Sequence, residues 1–308
     1  MEATKTITLS ARAKINLYLD ILSRRENGYH NILSIMQTLA LCDTVTLTRL
    51  PDGAGIRVET DVAGLPTDRR NLAYRAAERF EPLLGRIPDV AIRIEKRIPM
   101  AAGLGGGSAD AAAVLRGLNL LYETNTPLLA LCSIGAGLGA DIPFCTVGGA
   151  MVAEGIGEIL TPCKGLPEHV WITVACGGEG ISTPEAYGAL DRIYSDFQMP
   201  RTGGGRFTSL HQALEREDLP AIGMHMYNIF EEAVLPTHSV AARLLACLRR
   251  NGSEAAMMSG SGPSVFGLFS NEASARGAAA QIEREFGIPA HVTRPAPAFE
   301  NETTERII

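Results

Sequence analysis

Ile98-Pro99-Met100-Ala101-Ala102-Gly103-Leu104-Gly105-Gly106-Gly107-Ser108-Ala109-Asp110 places four glycines within five positions, between an apolar strand pattern and a strongly helical run. Residues without a Cβ reach positive φ readily and let an anion approach the main chain. Successive backbone N–H groups and the positive end of the following helix then face that anion. The stretch reads as a phosphate cradle, and a nucleotide is the ligand it suits. An ordinary tight connection would not require so many glycines, each of which costs folding entropy.

Around this loop the chain reads as alternating strands and helices. Residues 90–95 read as the strand feeding the loop, and the spacing predicts a helix from about residue 108 to 122 beyond it, with an Ala-rich start that permits close packing on a sheet. Further strands are expected at residues 44–48 and 56–60. Leu72, Ala76, Phe80, Leu83 and Leu84 recur at helical spacing behind Asn71, a capping type. From residue 13 to 22, Ile15, Leu17, Leu19 and Ile21 share one strand face while Lys14, Asn16, Tyr18 and Asp20 share the other, so Lys14 and Asn16 point the same way. The turn Glu26-Asn27-Gly28 precedes Tyr29 and His30. A second glycine set, residues 135–139, leads through Ala140 into Asp141-Ile142-Pro143-Phe144, where flexible backbone followed by a rigid proline is suited to fix the direction of one carboxylate in an apolar neighbourhood.

A domain change is expected between Gly148-Gly149 and Pro162, giving units of residues 1–160 and 161–308. The second unit reads as α+β, with strands at 170–175, 255–258, 265–269 and 291–293. Helices are expected from the Ser182-Thr183-Pro184-Glu185 start and at 218–232, 239–250 and 273–286. Ser259-Gly260-Ser261-Gly262-Pro263 reads as a turn between two strands, and residues 301–306 as a polar tail that frays.

The 308 residues are 46% apolar with a formal charge of −6 and a pI near 5.6, which gives no long-range attraction for nucleic acid or an anionic membrane. Cys42, Cys132, Cys145, Cys163, Cys176 and Cys247 form no Cys-x-x-Cys pair and read as reduced thiols. The N-terminus lacks the apolar run of a signal peptide, and residues 127–140 are too short and Gly-rich to span a bilayer. A soluble, cytoplasmic protein is expected. His169, His211, His225, His238 and His291 form no spaced ligand set, so no protein metal site is expected.

The nucleotide motif is neither of the two commonest. Gly-x-Gly-x-x-Gly fails because Gly103 to Ser108 ends in serine, and the P-loop fails because no lysine follows the glycines. A cation must come from elsewhere. On position alone Asp141 reads as a helix cap or turn former, Lys14 as a snorkelling strand lysine or a cleft wall beside Asn16, and Tyr29 and His30 as surface residues.

Pro99-x-x-x-Gly103-Leu104-Gly105-Gly106-Gly107-Ser108-Ala109 resembles the second motif of the GHMP small-molecule kinases, while Ala13-Lys14-Ile15-Asn16-Leu17 and Gly260-Ser261-Gly262-Pro263 resemble the first and third. Other members usually carry serines where this chain has Gly106 and Gly107. Together with Gly28-Tyr29-His30 and Gly139-Ala140-Asp141-Ile142-Pro143-Phe144, these glycines are similar to a branch that phosphorylates the 2-hydroxyl of a cytidine-diphosphate-linked methylerythritol in non-mevalonate isoprenoid synthesis.

The resemblance implies a two-domain α+β GHMP kinase fold, with a ribosomal-protein-S5-like N-terminal ATP domain, a ferredoxin-like C-terminal domain and the site in the cleft. It implies ATP and Mg²⁺, with Asn71, Lys96, Pro99, Met100, Ala101, Ala102, Gly103, Leu104, Gly105, Gly106, Gly107, Ser108 and Ala109 about the nucleotide. Asp141 would be the base and Lys14 its orienting cation. Lys14, Asn16, Tyr29, His30, Asp141, Thr183 and Tyr187 would surround the substrate, Tyr29 and Tyr187 stacking on the cytosine and His30 reading its edge. Asn71 as a cap, Lys96 as a strand-end lysine and Tyr187 as core packing stay open, as do a GHMP kinase for homoserine, a mevalonate-like acid or a sugar, and a non-catalytic ATP sensor. The partner expected is a small molecule with a cytidine diphosphate moiety, with no nucleic acid or membrane, acting on a monomer or weak homodimer.

Overall fold

The computed structural model describes residues 5–100, 102–178, 180–194, 197 and 205–299; Ala101 and the 301–306 tail lie outside them. The first half runs β1 (Thr6–Arg24), β2 (His30–Arg49), β3 (Ile56–Thr60), α1 (Leu72–Glu78), α2 (Glu81–Leu84), β4 (Val90–Glu95), α3 (Gly106–Leu121), α4 (Leu128–Ala136), α5 (Ile142–Val147), β5 (Ala150–Glu154) and β6 (Ile159–Pro162). The second runs β7 (Trp171–Ala175), α6 (Thr183–Ile193), α7 (Arg206–Glu215), α8 (Leu219–His225), β8 (Tyr227–Asn228), α9 (Phe230–Val234), α10 (Ser239–Arg250), β9 (Ala255–Met258), β10 (Val265–Phe269), α11 (Glu272–Phe286) and β11 (Ala290–Thr293).

One sheet is ordered β3-β4-β2-β1-β8, with β5 and β6 branching from β2. The other, β11-β7-β10-β9, is antiparallel throughout. β1 and β2 are 19 and 20 residues long, far beyond the 13–22 and 44–48 strands read from the sequence. The alternation in β1 is not a solvent face, because Ala13 to Ile21 are all buried and the polar face is covered as well. Register shifts at Arg12/Lys14, Asn16/Tyr18 and Ile21/Ser23 bend the ribbon past the cleft.

The helix expected across residues 72–84 is two, because Pro82 has no N–H to donate and opens α2. The helix expected at 218–232 is also broken, since Tyr227 and Asn228 leave it to pair in parallel with Tyr18 and Leu19 of β1. Ile15, Leu17 and Leu39 of the first sheet share one core with Ile172, Phe266 and Leu268 of the second. α3 lies on the outer face of the first sheet against Leu47, Ile92 and Ile94, close enough that a Cβ on Gly117 would meet Leu47 Cδ1 at 2.6 Å. That close seat fixes where the N-terminus of α3 points.

Candidate active site

The glycine loop leaves β4 and ends in α3. Gly103 and Gly105 hold φ of +72° and +69°, and Gly105 caps α3 without a side-chain bond, leaving first-turn N–H groups for a ligand. Three hydrogen bonds, from β1 and from residues 259–264, clamp the loop. Lys14 N–H donates to Leu104 O at 3.0 Å, Ser264 N–H to Ala102 O at 3.3 Å, and the Ser259 hydroxyl to Gly103 O at 3.1 Å. The 259–263 turn lies so close that a Cβ on Gly103 would sit 2.2 Å from Ser259 O. Buried Asn228 in turn holds that turn, donating from Nδ2 to Met258 O at 2.8 Å and Gly260 O at 2.9 Å. The glycine loop and the 259–263 turn thus meet as one body.

Lys14 projects from β1 beneath this body, its side chain only 5% exposed. Nζ donates to Asn16 Oδ1 at 2.9 Å and lies 3.4 Å from Asp141 Oδ2; Asn16 is fixed by its own donation to Ser34 Oγ at 2.9 Å. Asp141 occupies the N-cap position of α5 but makes no side-chain cap bond, so the capping role open on sequence grounds is not the one its carboxylate performs. Beside it, burial pushes the Cys145 thiol well above its ordinary range, which leaves that cysteine inert.

One cavity of about 650 Å³ is lined by Lys14, Asn16, Tyr29, His30, Gly103, Ser108, Asp141, Thr183 and Tyr187. Tyr29 is exposed at its rim. The His30 ring stacks on Tyr187 with centroids 4.8 Å apart, and Tyr187 meets Phe230 edge-on at 4.9 Å. Tyr187 therefore packs and lines the cavity at once; burial, then the Asp141 charge, raises its hydroxyl pKa. Thr183 Oγ1 lies 3.3 Å from Ser261 Oγ, joining α6 to the 259–263 turn.

Other expected nucleotide residues lie apart from this cavity. Both ends of the Asn71 amide are engaged, Oδ1 accepting from Ala73 N–H at 2.9 Å and Nδ2 donating to Pro66 O at 2.7 Å. Lys96 is buried beneath the loop between Asp43 and Asp110, with Asp110 Oδ2 at 2.7 Å. Burial would lower the Lys96 pKa, yet the Asp110 and Asp43 charges outweigh it and raise it. Burial lifts Asp110 to about 7, against the pull of Lys96 and with the push of Asp43. Ala102, Leu104 and Ala109 are buried, Met100 is exposed and Pro99 lies between; Gly106 and Gly107 form the first turn of α3.

The model of the GHMP kinases N terminal domain matches residues 71–149, and that of the GHMP kinases C terminal region matches residues 210–288. A curated relative from Alkaliphilus metalliredigens, named 4-diphosphocytidyl-2-C-methyl-D-erythritol kinase, is 42% identical over 274 residues, covering 89% of this chain and 91% of its own. The chain belongs to the GHMP kinase family. A Gloeobacter violaceus relative of the same name is 40% identical over 295 residues, 96% of each chain. A crystal structure of a 4-(cytidine 5'-diphospho)-2C-methyl-D-erythritol kinase gives a TM-score of 0.77 at 32% identity, covering 94% of this chain and 99% of that one. A homoserine kinase from Cytophaga hutchinsonii shares the fold, with a TM-score of 0.76 at 20% identity over 95% of each chain.

In this GHMP kinase, Asp191 lines the cavity, Asp43 pairs with Lys96 beneath the glycine loop and Asn228 holds the 259–263 turn, none of them announced by a sequence motif. Asp191 had one usable signal, since Thr183, Tyr187 and Asp191 recur every fourth residue on one face of α6. Among the described residues no three His, Cys, Asp or Glu side chains gather as a metal set, and no helix is long and apolar enough to cross a membrane. The six cysteines are free.

Proposed function

We propose that this GHMP kinase transfers the γ-phosphoryl group of ATP to the 2-hydroxyl of 4-diphosphocytidyl-2-C-methyl-D-erythritol, the substrate in the names of its relatives. The observation that carries this is a single cavity with the Lys14–Asp141 pair beside the glycine loop and Tyr29, His30 and Tyr187 along the same wall. Homoserine, mevalonate and simple sugars have no base for those rings to hold. Intact Lys14 and Asp141 oppose a mere ATP sensor.

The uncapped start of α3 and the left-handed Gly103 and Gly105 fit a triphosphate, because N–H groups remain unused there. The Asp141 carboxylate and the Ser108 hydroxyl would hold, directly or through water, the Mg²⁺ that arrives with the nucleotide, and that ion would neutralise phosphate charge. Asp141 accepts the proton of the substrate hydroxyl as its oxygen bonds to phosphorus and the bond to ADP breaks. Lys14, held by Asn16, orients Asp141 and offsets the charge developing on the transferring group. Such a transfer needs positioning and charge more than covalent chemistry. The working unit is a monomer or weak dimer divided into residues 1–160 and 161–308, which sedimentation and limited proteolysis check.

The test is ATP consumption with the cytidyl substrate beside homoserine, mevalonate and galactose. Turnover of the cytidyl compound alone is expected, and turnover of another alcohol in its place refutes the substrate. Asp141→Asn should lower kcat by roughly 10²- to 10⁴-fold with the circular dichroism spectrum unchanged; retained turnover removes Asp141 as the base.

A further inference from the structure

Asp191 belongs to none of the glycine motifs, yet its carboxylate reaches the residue placed to read the base. Oδ1 lies 2.7 Å from His30 Nε2, and Oδ2 lies 3.5 Å from an Arg24 guanidinium nitrogen. The His30 side chain is 4% exposed. Tyr187 stacks on one ring face, and Phe197 meets the ring at 5.5 Å and 84°. The imidazole is thereby held in one orientation on the cavity wall. A carboxylate oxygen only accepts, so in the neutral imidazole the contact assigns the ring proton to Nε2 and leaves a lone pair on Nδ1. Among the described residues Nδ1 has no protein partner.

We propose that Asp191 is a positioning residue that sets the tautomer of His30 and so makes the pocket prefer a base bearing an exocyclic amino group, cytosine, over one bearing a carbonyl there, uracil. This rests on the cytidyl substrate proposed above and adds the residue that selects it. The cytosine edge carries an amino donor where uracil carries a carbonyl oxygen. Nδ1 accepts from the first but faces the second lone pair to lone pair, leaving two acceptors without a donor. A site built to bond a particular N–H rejects an analogue lacking it far more strongly than apolar packing distinguishes two shapes. Without Asp191 the ring is free to carry its proton on Nδ1, which would then donate to uracil.

The experiment compares kcat/KM for the cytidyl substrate and its uridyl counterpart in the wild type, Asp191→Asn and Asp191→Ala, with the ¹⁵N NMR tautomer of His30 recorded in each protein. The wild type should favour the cytidyl compound by on the order of tenfold to a hundredfold, the usual effect of one mismatched hydrogen bond. It should also show the Nε2–H form. In both variants the ratio should fall by about tenfold, mainly through a higher KM for the cytidyl substrate, and the Nδ1–H form should appear. An amide at 191 can itself donate to Nε2, so Asp191→Asn should fall at least as far as Asp191→Ala. A wild-type spectrum showing Nδ1–H overturns the proposal even if a variant fails to fold. So does a ratio within about twofold of wild type in both variants, a margin of roughly half a kcal/mol. Turnover of neither nucleotide compound by the wild type refutes the substrate itself, whereas cytidyl turnover with an unchanged ratio refutes only the role of Asp191.

Discussion

Gly103→Ala should cripple the enzyme, while Gly107→Ala, four residues along the same loop, should not. Gly103 sits at φ +72°, where an L-residue costs about 1–2 kcal/mol. Its new Cβ would lie 2.2 Å from Ser259 O and 3.2 Å from Gly262 N, both main-chain atoms that cannot swing aside. Ordinary contact begins near 3.4 Å, so the two loops must part by roughly 1.2 Å. That strains the Ser259–Gly103 and Ser264–Ala102 hydrogen bonds, about 0.5–1.5 kcal/mol each. The sum is about 2–5 kcal/mol, or a Tm lower by roughly 3–8 °C in a chain of this size. A displacement of about 1 Å at the phosphate loop costs about 10²-fold in rate. Gly107 has ordinary helical φ, and its Cβ would meet only Leu72 Cδ1 at 3.7 Å, so alanine there gains up to ~1 kcal/mol of helix propensity. Initial rates with varied ATP, beside thermal denaturation, decide the matter. Gly103→Ala within threefold of wild type in kcat/KM for ATP would refute the reasoning, as would an equal loss in Gly107→Ala.

Asn228→Ala removes three hydrogen bonds from a buried site, those to Met258 O, Gly260 O and Phe230 N–H, and should cost about 2–4 kcal/mol in chemical denaturation while raising KM for ATP. An unchanged midpoint would show that the 259–263 turn holds itself. Burial, with Lys96 opposing and Asp43 adding, lifts Asp110 from 3.8 to about 7 in the folded chain, so the unfolded chain loses that proton first. Its contribution is therefore complete below about pH 4 and is lost as pH rises through about 7. Asp110→Asn should flatten the fall of Tm between pH 4 and 8 and leave the variant more stable than wild type at pH 8 by on the order of 1–4 kcal/mol. An unaltered slope would remove Asp110 as its source.

The glycine loop was legible because its chemistry is a property of single residues: Gly103 and Gly105 must reach positive φ, and no side chain can substitute for that. The length of β1 was hidden for the opposite reason. Alternation reports a strand only where one face meets water, and here Lys14, Asn16 and Asp20 are as buried as Ile15 and Leu17. The polar face lines a cleft, so the same burial that obscured the strand placed Lys14 at the cavity.

Asp141 and Asp191 divide what sequence can and cannot supply about a site. Asp141 stands at the start of α5 behind a glycine set, with a local capping role open to it, whereas Asp191 lies in the last turn of α6. Asp141 was separated from its capping role by a resemblance of ordered motifs, and the geometry then removed the alternative, since the side chain caps nothing and points its charge toward Lys14. Asp191 had no motif because its meaning lies in a contact 161 residues away in sequence, made only when α6 packs across the start of β2. A motif records residues that share a ligand, whereas the Asp191 carboxylate is tied to His30 and Arg24 by contacts across the fold. Any helix that delivers an acceptor to the same nitrogen can fill that role. The proposed selectivity for the base is therefore the part of this site least visible in the chain and most dependent on how α6 packs on β2.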